Sequence, residues 1–247
     1  MPLAPGDGWA IPFDAPFYPR LPAWYRNVEF QQVFFRSDPA AVARLLPEPL
    51  EPSPDGECVA TGIRVPFSSA YGGFNEAVIE EKAIFRGQTG WYVSHVWHDG
   101  PRGIAAGREI YGTPKIFSEL EVRLVDASML TRASMGGAPV LTISSTMDEP
   151  VAPSDLPSLS PAWRLKIIPR ADRPEPAIKQ LIDGSGATGD LQVHAAFRGR
   201  GTVHFEPSPF GDLTGLRPLE YGAAYYFEAS YSEGFATIVH DYLAPGS

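Results

Sequence analysis

Proline and glycine recur so often along this chain that no long helix can be drawn through it. The 247 residues hold 26 prolines and 24 glycines, spread along the length rather than gathered in one tract. Each proline fixes φ and removes a backbone donor, so the chain is divided into short elements with frequent turns. That pattern favours β structure. A chain of this length buries roughly 70–75% of the surface it exposes when unfolded, so a single domain over 1–247 is expected. Within it, residues 1–25 are rich in proline and aromatics without a clear period. They are expected to form an extended N-terminal arm over the body.

Strand-like runs occur at 28–35, 58–65, 77–85, 91–97, 120–125, 138–144, 163–168 and 191–205, nearly all bounded by turn residues. Ser37-Asp38-Pro39 offers a helix N-cap with proline in the first turn, which predicts a short helix through Leu46. A second helix is predicted over 176–182, stopped by Asp183-Gly184-Ser185-Gly186. Many strands with few intervening helices argue for an antiparallel barrel or sandwich, and closing the sheet would hide its edges.

Charge and cysteine usage exclude several functions. A formal net charge of −9 opposes extended phosphate binding, so nucleic acid is not an expected partner. With Cys58 as the only cysteine, neither an intramolecular disulfide nor a cysteine metal cage is possible. No segment approaches the ~20 apolar residues of a membrane span, and the N-terminus lacks the basic start of a secretory signal. A cytoplasmic location and no membrane partner are expected. Gly184 to Gly189 matches G-x-G-x-x-G, but it follows a predicted helix and precedes a strand, the reverse of a dinucleotide site. His95 and His98 stand three apart on a strand and so face opposite sides, which argues against chelation. No metal and no cofactor are expected. Arg198-Gly199-Arg200-Gly201 reads as a hairpin, and no Gly-x-Ser-x-Gly elbow occurs.

The most informative window is 107–117, Gly-Arg-Glu-Ile-Tyr-Gly-Thr-Pro-Lys-Ile-Phe. It sets Lys115 among apolar neighbours just before a strand. One reading is a snorkelling lysine with a wet ammonium. The other is a buried lysine whose desolvation favours the free amine, able to attack a carbonyl. The chain has only four lysines, Lys82, Lys115, Lys166 and Lys179, so few residues are available for such chemistry.

Gly107-Arg108-Glu109 followed by Tyr-Gly-Thr-Pro-Lys resembles the Gly-Arg-Glu and Pro-Lys segment of the acetoacetate decarboxylase-like superfamily. Pro47-Glu48-Pro49-Leu50 after Arg36-Ser37-Asp38, and Leu165-Lys166-Ile167-Ile168-Pro169, add to the match. The ordered set runs from about Phe17 to Leu243. The resemblance implies a mainly β (β-rich α+β) fold, a cone-shaped antiparallel β-barrel with a few short helices. It also implies a homo-oligomer, tetramer or larger, in which Lys115 forms the Schiff base.

The chain departs from the family at three places. The second lysine after the nucleophile is Ile116 here, the active-site arginine aligns with Val28, and a further glutamate aligns with Thr61. Arg26 lies close to the missing arginine and is a candidate substrate contact. Glu76 matches the family's second acidic position and is the candidate proton carrier, against the alternative of a solvated loop carboxylate. Tyr111 is a candidate donor to an aldehyde oxygen or a departing hydroxyl, or else a packed core aromatic. Arg108 and Glu109 are supporting candidates, as an ion pair or as braces of the loop, and Tyr242 is a further pocket candidate.

Imine chemistry leaves two exits, loss of carbon dioxide from a 3-oxo acid or loss of a methyl proton from a 2-oxo acid. Without the lysine and arginine, recognition and expulsion of a carboxylate change. Relatives with similar departures condense pyruvate with an aldehyde and dehydrate the aldol. The resemblance therefore implies first an aldolase-dehydratase taking a small oxo acid and an aldehyde. A 3-oxo acid decarboxylase comes second, and a noncatalytic ligand-binding barrel third.

Overall fold

The computed structural model describes residues 3, 4, 6–209 and 211–244. The main sheet begins with β1 (Ala23–Arg36), β2 (Glu51–Pro52), β3 (Glu57–Val65), β4 (Phe67–Ser68), β5 (Phe74–Phe85), β6 (Gln88–His98) and β7 (Lys115–Phe117). Three strands then leave it to form a second sheet: β8 (Glu119–Val125), β9 (Ser128–Met135) and β10 (Ala138–Thr146). The chain returns with β11 (Glu149–Pro150), β12 (Ala162–Pro169), β13 (Pro176–Asp183) and β14 (Thr188–Gly199). It then adds β15 (Gly201–Phe205) to the second sheet and ends with β16 (Glu220–Glu233) and β17 (Thr237–Asp241).

The main sheet runs β11-β14-β16-β1-β3-β5-β6-β12-β13-β17, with β2 on β5, β4 on β1 and β7 on β6. It forms a cone-like, barrel-like wall but does not close, contrary to the closed sheet expected. Short outer strands, β11 of two residues and β17 of five, limit the exposed edge instead. Nearly all pairings are antiparallel; β6 makes parallel pairs with both β7 and β12.

Alternation divides the side chains of β1, β3 and β5 between two interiors. Val33, Phe35, Cys58, Ala60, Ala77 and Ile79 pack against Ala133, Leu141, Ile143 and Val203 of the second sheet. The intervening Gln32, Thr61, Ile63, Glu76, Val78 and Glu80 face a cavity on the other side. Gln31 joins the sheets through a satisfied polar contact. Its Nε2 donates to the Met129 carbonyl (2.7 Å) and Ser145 Oγ (2.8 Å), and its Oε1 accepts from Thr131 Oγ1 (2.8 Å). Close approach here requires Gly62, since a Cβ there would overlap Thr131.

Two sequence expectations about helices are corrected. The first helix, α1 (Pro39–Ala43), is capped by Asp38, whose carboxylate accepts from the Ala40 N–H (2.9 Å), but it stops before Leu46. The predicted helix over 176–182 is strand β13. Leu181 pairs with Leu165 and is fully buried with Trp163 and Phe85, so partners on both sides override local propensity. The crossover between β6 and β7 holds α2 (Pro101–Ala106) and a π-helical turn over Gly107–Tyr111, neither of which was legible as helix. No helix among the described residues is long and apolar enough to cross a membrane.

Glu81 is fully buried, with Oε1 accepting from Ser94 Oγ at 2.7 Å. Burial pushes its pKa from 4.5 up to about 8. Between those values the folded protein holds a proton that the unfolded chain has released, so this group's contribution to stability falls as pH rises through the window. In calorimetric melts across that range, Glu81→Gln should show a smaller fall in Tm with rising pH than the parent. Glu80, also raised, to about 7, retains part of the slope.

Candidate active site

The cavity on the inner face of the main sheet has a volume of about 280 Å³. Aromatic pairs form part of its wall, with Tyr25 stacked on Tyr231 (4.7 Å) and Phe30 on Phe227 (4.5 Å). Lys115 is the one lysine lining it among the described residues. Lys82 is paired with Asp55 and Glu57, Lys166 donates to the Ile110 carbonyl (3.1 Å), and Lys179 lies over Tyr242.

Lys115 opens β7, whose parallel pairing sets it beside Val96. Parallel neighbours need a crossover connection, usually helical, and here that crossover supplies the pocket for the lysine stem. The π-helical turn ends at Gly112, which has φ +69° and donates its N–H to the Gly107 carbonyl. Such turns insert one extra residue and frequently occur at functional sites. Gly107 itself has ordinary helical angles, φ −60° and ψ −43°. What it provides is space: a Cβ would stand 2.8 Å from both Cδ and Cε of Lys115.

The amine is held between an acid and a ring. Lys115 Nζ lies 3.1 Å from Glu76 Oε2 and 5.7 Å from the centroid of Phe74. Glu76 is on β5, only 9% exposed, so it is not a solvated loop carboxylate. His98, opposite Glu76 in the β5–β6 pair, completes the group. Its Nδ1 accepts from the Gly100 N–H (2.8 Å), which leaves the ring proton on Nε2, 3.8 Å from Glu76 Oε2. Burial, with the Lys115 charge adding to it, holds the His98 pKa far below the imidazole range, so the ring is neutral. Strand spacing alone does not reveal this role, because the pairing of His98 with Glu76 joins two strands; His95 lies on the other face of the strand, stacked on Trp97 (6.0 Å).

The other expected site residues divide into two groups. Tyr111 lines the cavity, but its hydroxyl donates to the Gly234 carbonyl at 2.6 Å, so its proton is already engaged. Arg108 and Glu109 do not pair with each other and do not line the cavity. Arg108 donates to the Lys115 carbonyl (3.1 Å) and Glu109 accepts from Tyr18 (2.5 Å), so both brace the lysine segment. Arg26 is exposed, over Trp24 at 5.3 Å, because its strand position turns it away from the cavity. Tyr242 also lies elsewhere, with its hydroxyl donating to the Glu48 carbonyl (2.6 Å).

The departures from the family pattern also fall in different places. Val28 is buried in an apolar cluster and Ile116 packs toward the core between the sheets, while Thr61 does line the cavity. Three charged residues that the sequence reading missed join the wall, Glu80 from β5, Glu233 from β16 and Arg164 from β12. Glu233 accepts from the Tyr25 hydroxyl (2.8 Å), and burial raises its pKa. Gln32 Oε1, Thr61 Oγ1, Tyr71 Oη and Arg164 Nε have no hydrogen-bond partner among the described residues. Buried polar atoms ordinarily have partners, so this wall is suited to a small polar ligand.

Because Gly107 acts through space rather than backbone angle, Gly107→Ala should fold with nearly parental stability while displacing Lys115. Misplacement of a reacting group by about 1 Å can cost on the order of 100-fold. Adduct formation at Lys115 with an oxo acid should therefore slow by about 10- to 100-fold, read by mass spectrometry alongside a thermal melt.

A family model described as acetoacetate decarboxylase matches residues 1–243. Acetoacetate decarboxylase 1 of Mesorhizobium japonicum is 30% identical over 247 residues, covering 97% of this chain and 96% of the relative. Acetoacetate decarboxylase from Legionella pneumophila has a similar fold, with a TM-score of 0.86 at 21% identity, over 99% of this chain and 100% of that one. The enduracididine biosynthesis enzyme MppR complexed with pyruvate gives a TM-score of 0.81 at 21% identity, over 95% and 98%. With the family match extending over nearly the whole length, this chain is a lyase-type enzyme belonging to the acetoacetate decarboxylase family.

Proposed function

We propose that this protein is a Schiff-base enzyme that condenses pyruvate with an aldehyde and dehydrates the aldol. The observation that carries the reading is the enclosed pair of Lys115 Nζ and Glu76 Oε2, 3.1 Å apart. Glu76 accepts the ammonium proton, and the freed amine attacks the ketone carbon. Returning that proton to the carbinolamine oxygen expels water and leaves the iminium. Glu76 then takes a methyl proton, giving the enamine. The enamine carbon bonds to the aldehyde carbon, and the aldehyde oxygen gains a proton. Loss of a second proton from the former methyl carbon and departure of the hydroxyl as water give an unsaturated iminium. Hydrolysis releases an α,β-unsaturated 2-oxo acid and restores Lys115. Tyr71, whose buried hydroxyl on the cavity wall has no hydrogen-bond partner among the described residues, is better suited than Tyr111 to donate to the aldehyde oxygen. In this reading the enzyme works in the cytoplasm as a homo-oligomer.

Two features favour this exit over decarboxylation. The positions of the family's second lysine and arginine are apolar here and lie outside the cavity, and three carboxyl groups, Glu76, Glu80 and Glu233, line it. MppR, which shares the fold, is the neighbour that holds pyruvate. The second reading, decarboxylation of acetoacetate or another 3-oxo acid, is favoured by the decarboxylase names of relatives at about 30% identity.

The deciding experiment is reduction with borohydride in the presence of pyruvate or acetoacetate, followed by peptide mapping. Pyruvate should add to Lys115 alone, Lys115→Ala should give no adduct, and acetoacetate should release no carbon dioxide. Carbon dioxide release dependent on Lys115 would transfer the assignment to the decarboxylase reading. No adduct from either acid would defeat imine chemistry altogether.

A further inference from the structure

Arg164 is the cavity's unexplained charge. It lies on β12 one residue beyond Trp163, which pairs with Tyr92 of β6, whereas Lys115 pairs with Val96 on the same edge of that strand. Three residues of β6 separate the two registers, roughly 10 Å of strand. Two long side chains lining one cavity, with a three-carbon acid between them, can bridge that span. The guanidinium makes no hydrogen bond or ion pair with any described residue, and its Nε is buried. Gly184 keeps its place open, since a Cβ there would overlap Nη1 and stand 2.8 Å from Cζ.

A guanidinium is always charged and presents donors in a planar fork matched to a carboxylate. Arg164 is half-buried, and burying its Nε without a partner is costly. The carboxyl groups nearest in its field do not relieve that cost: Glu80 is pushed up to about 7 and Glu233 is also raised, both by burial. A dianionic phosphate would meet Glu76, Glu80 and Glu233 on the same wall, whereas a single carboxylate needs one guanidinium. We propose that Arg164 binds the substrate carboxylate and so makes the site selective for 2-oxo acids over neutral ketones. This rests on the Schiff-base reading of Lys115. It assigns to β12 the task that the family pattern gives to an arginine at the position of Val28.

The test compares pyruvate with pyruvamide, which keeps the ketone but lacks the charge. Half-saturating concentrations for cyanoborohydride trapping on Lys115 are measured in the parent protein, Arg164→Met and Arg164→Lys. In the parent, pyruvate should half-saturate at the lower concentration. The pyruvate-to-pyruvamide ratio should rise about tenfold or more in Arg164→Met, the scale of a lost hydrogen bond to a charged group, and less in Arg164→Lys. An unchanged ratio in Arg164→Met overturns the assignment. If that variant does not fold, equal half-saturation by the two compounds in the parent overturns it. Trapping of both compounds with no preference defeats the Arg164 assignment while leaving imine chemistry standing. Absence of any Lys115 adduct in the parent instead defeats the Schiff-base reading, and this assignment with it.

Discussion

Side chains two residues apart on a strand share a face, and in this protein both faces of β1, β3 and β5 are enclosed. One set builds the core against the second sheet, and the other builds the cavity wall. A slip of one residue in any of these strands would send Glu76 and Glu80 into the apolar core and bring Ala77 and Ile79 to the cavity. The register is therefore fixed from two sides. Gln31, hydrogen-bonded to Met129, Ser145 and Thr131 across the gap, adds a directional constraint to the apolar packing.

The reactive lysine depends on a different device. β6 and β7 run parallel, so the chain between them must travel back along the sheet, and α2 with its π-helical turn makes that return. The turn brings Gly107 against the stem of Lys115, while Arg108 and Lys166 fix neighbouring carbonyls. Lys115 is thus positioned by groups before it in sequence and by a strand fifty residues after it. This arrangement holds the amine at Glu76 without requiring either residue to sit in a flexible loop.

The cavity concentrates charge in an enclosed space. Glu76 is paired with Lys115 and faces the neutral His98, Glu233 accepts from Tyr25, and burial holds Glu80 toward its protonated form. These environments separate the acids by role, because desolvation and hydrogen bonding act differently on each. A single acidic position in a sequence motif does not convey that division.

The sequence by itself determined the β-rich class, the positions of most strands up to β12, the Asp38 cap and the window around Lys115. These follow from alternation, turn residues and one local segment, all short-range signals. It did not reveal β9, β16 or β17, and it misread β13 as helix. Ala224 and Ala229 of β16 are fully buried, yet alanine carries little strand preference and is placed there by close packing with distant partners. Likewise Arg164 and Glu233 become site residues only when β12 and β16 curve around the cavity, and Arg26 is excluded although it lies near Val28 in sequence. Tertiary structure decided which charges share an enclosure, because that depends on strand order and sheet curvature, which join residues far apart in the chain.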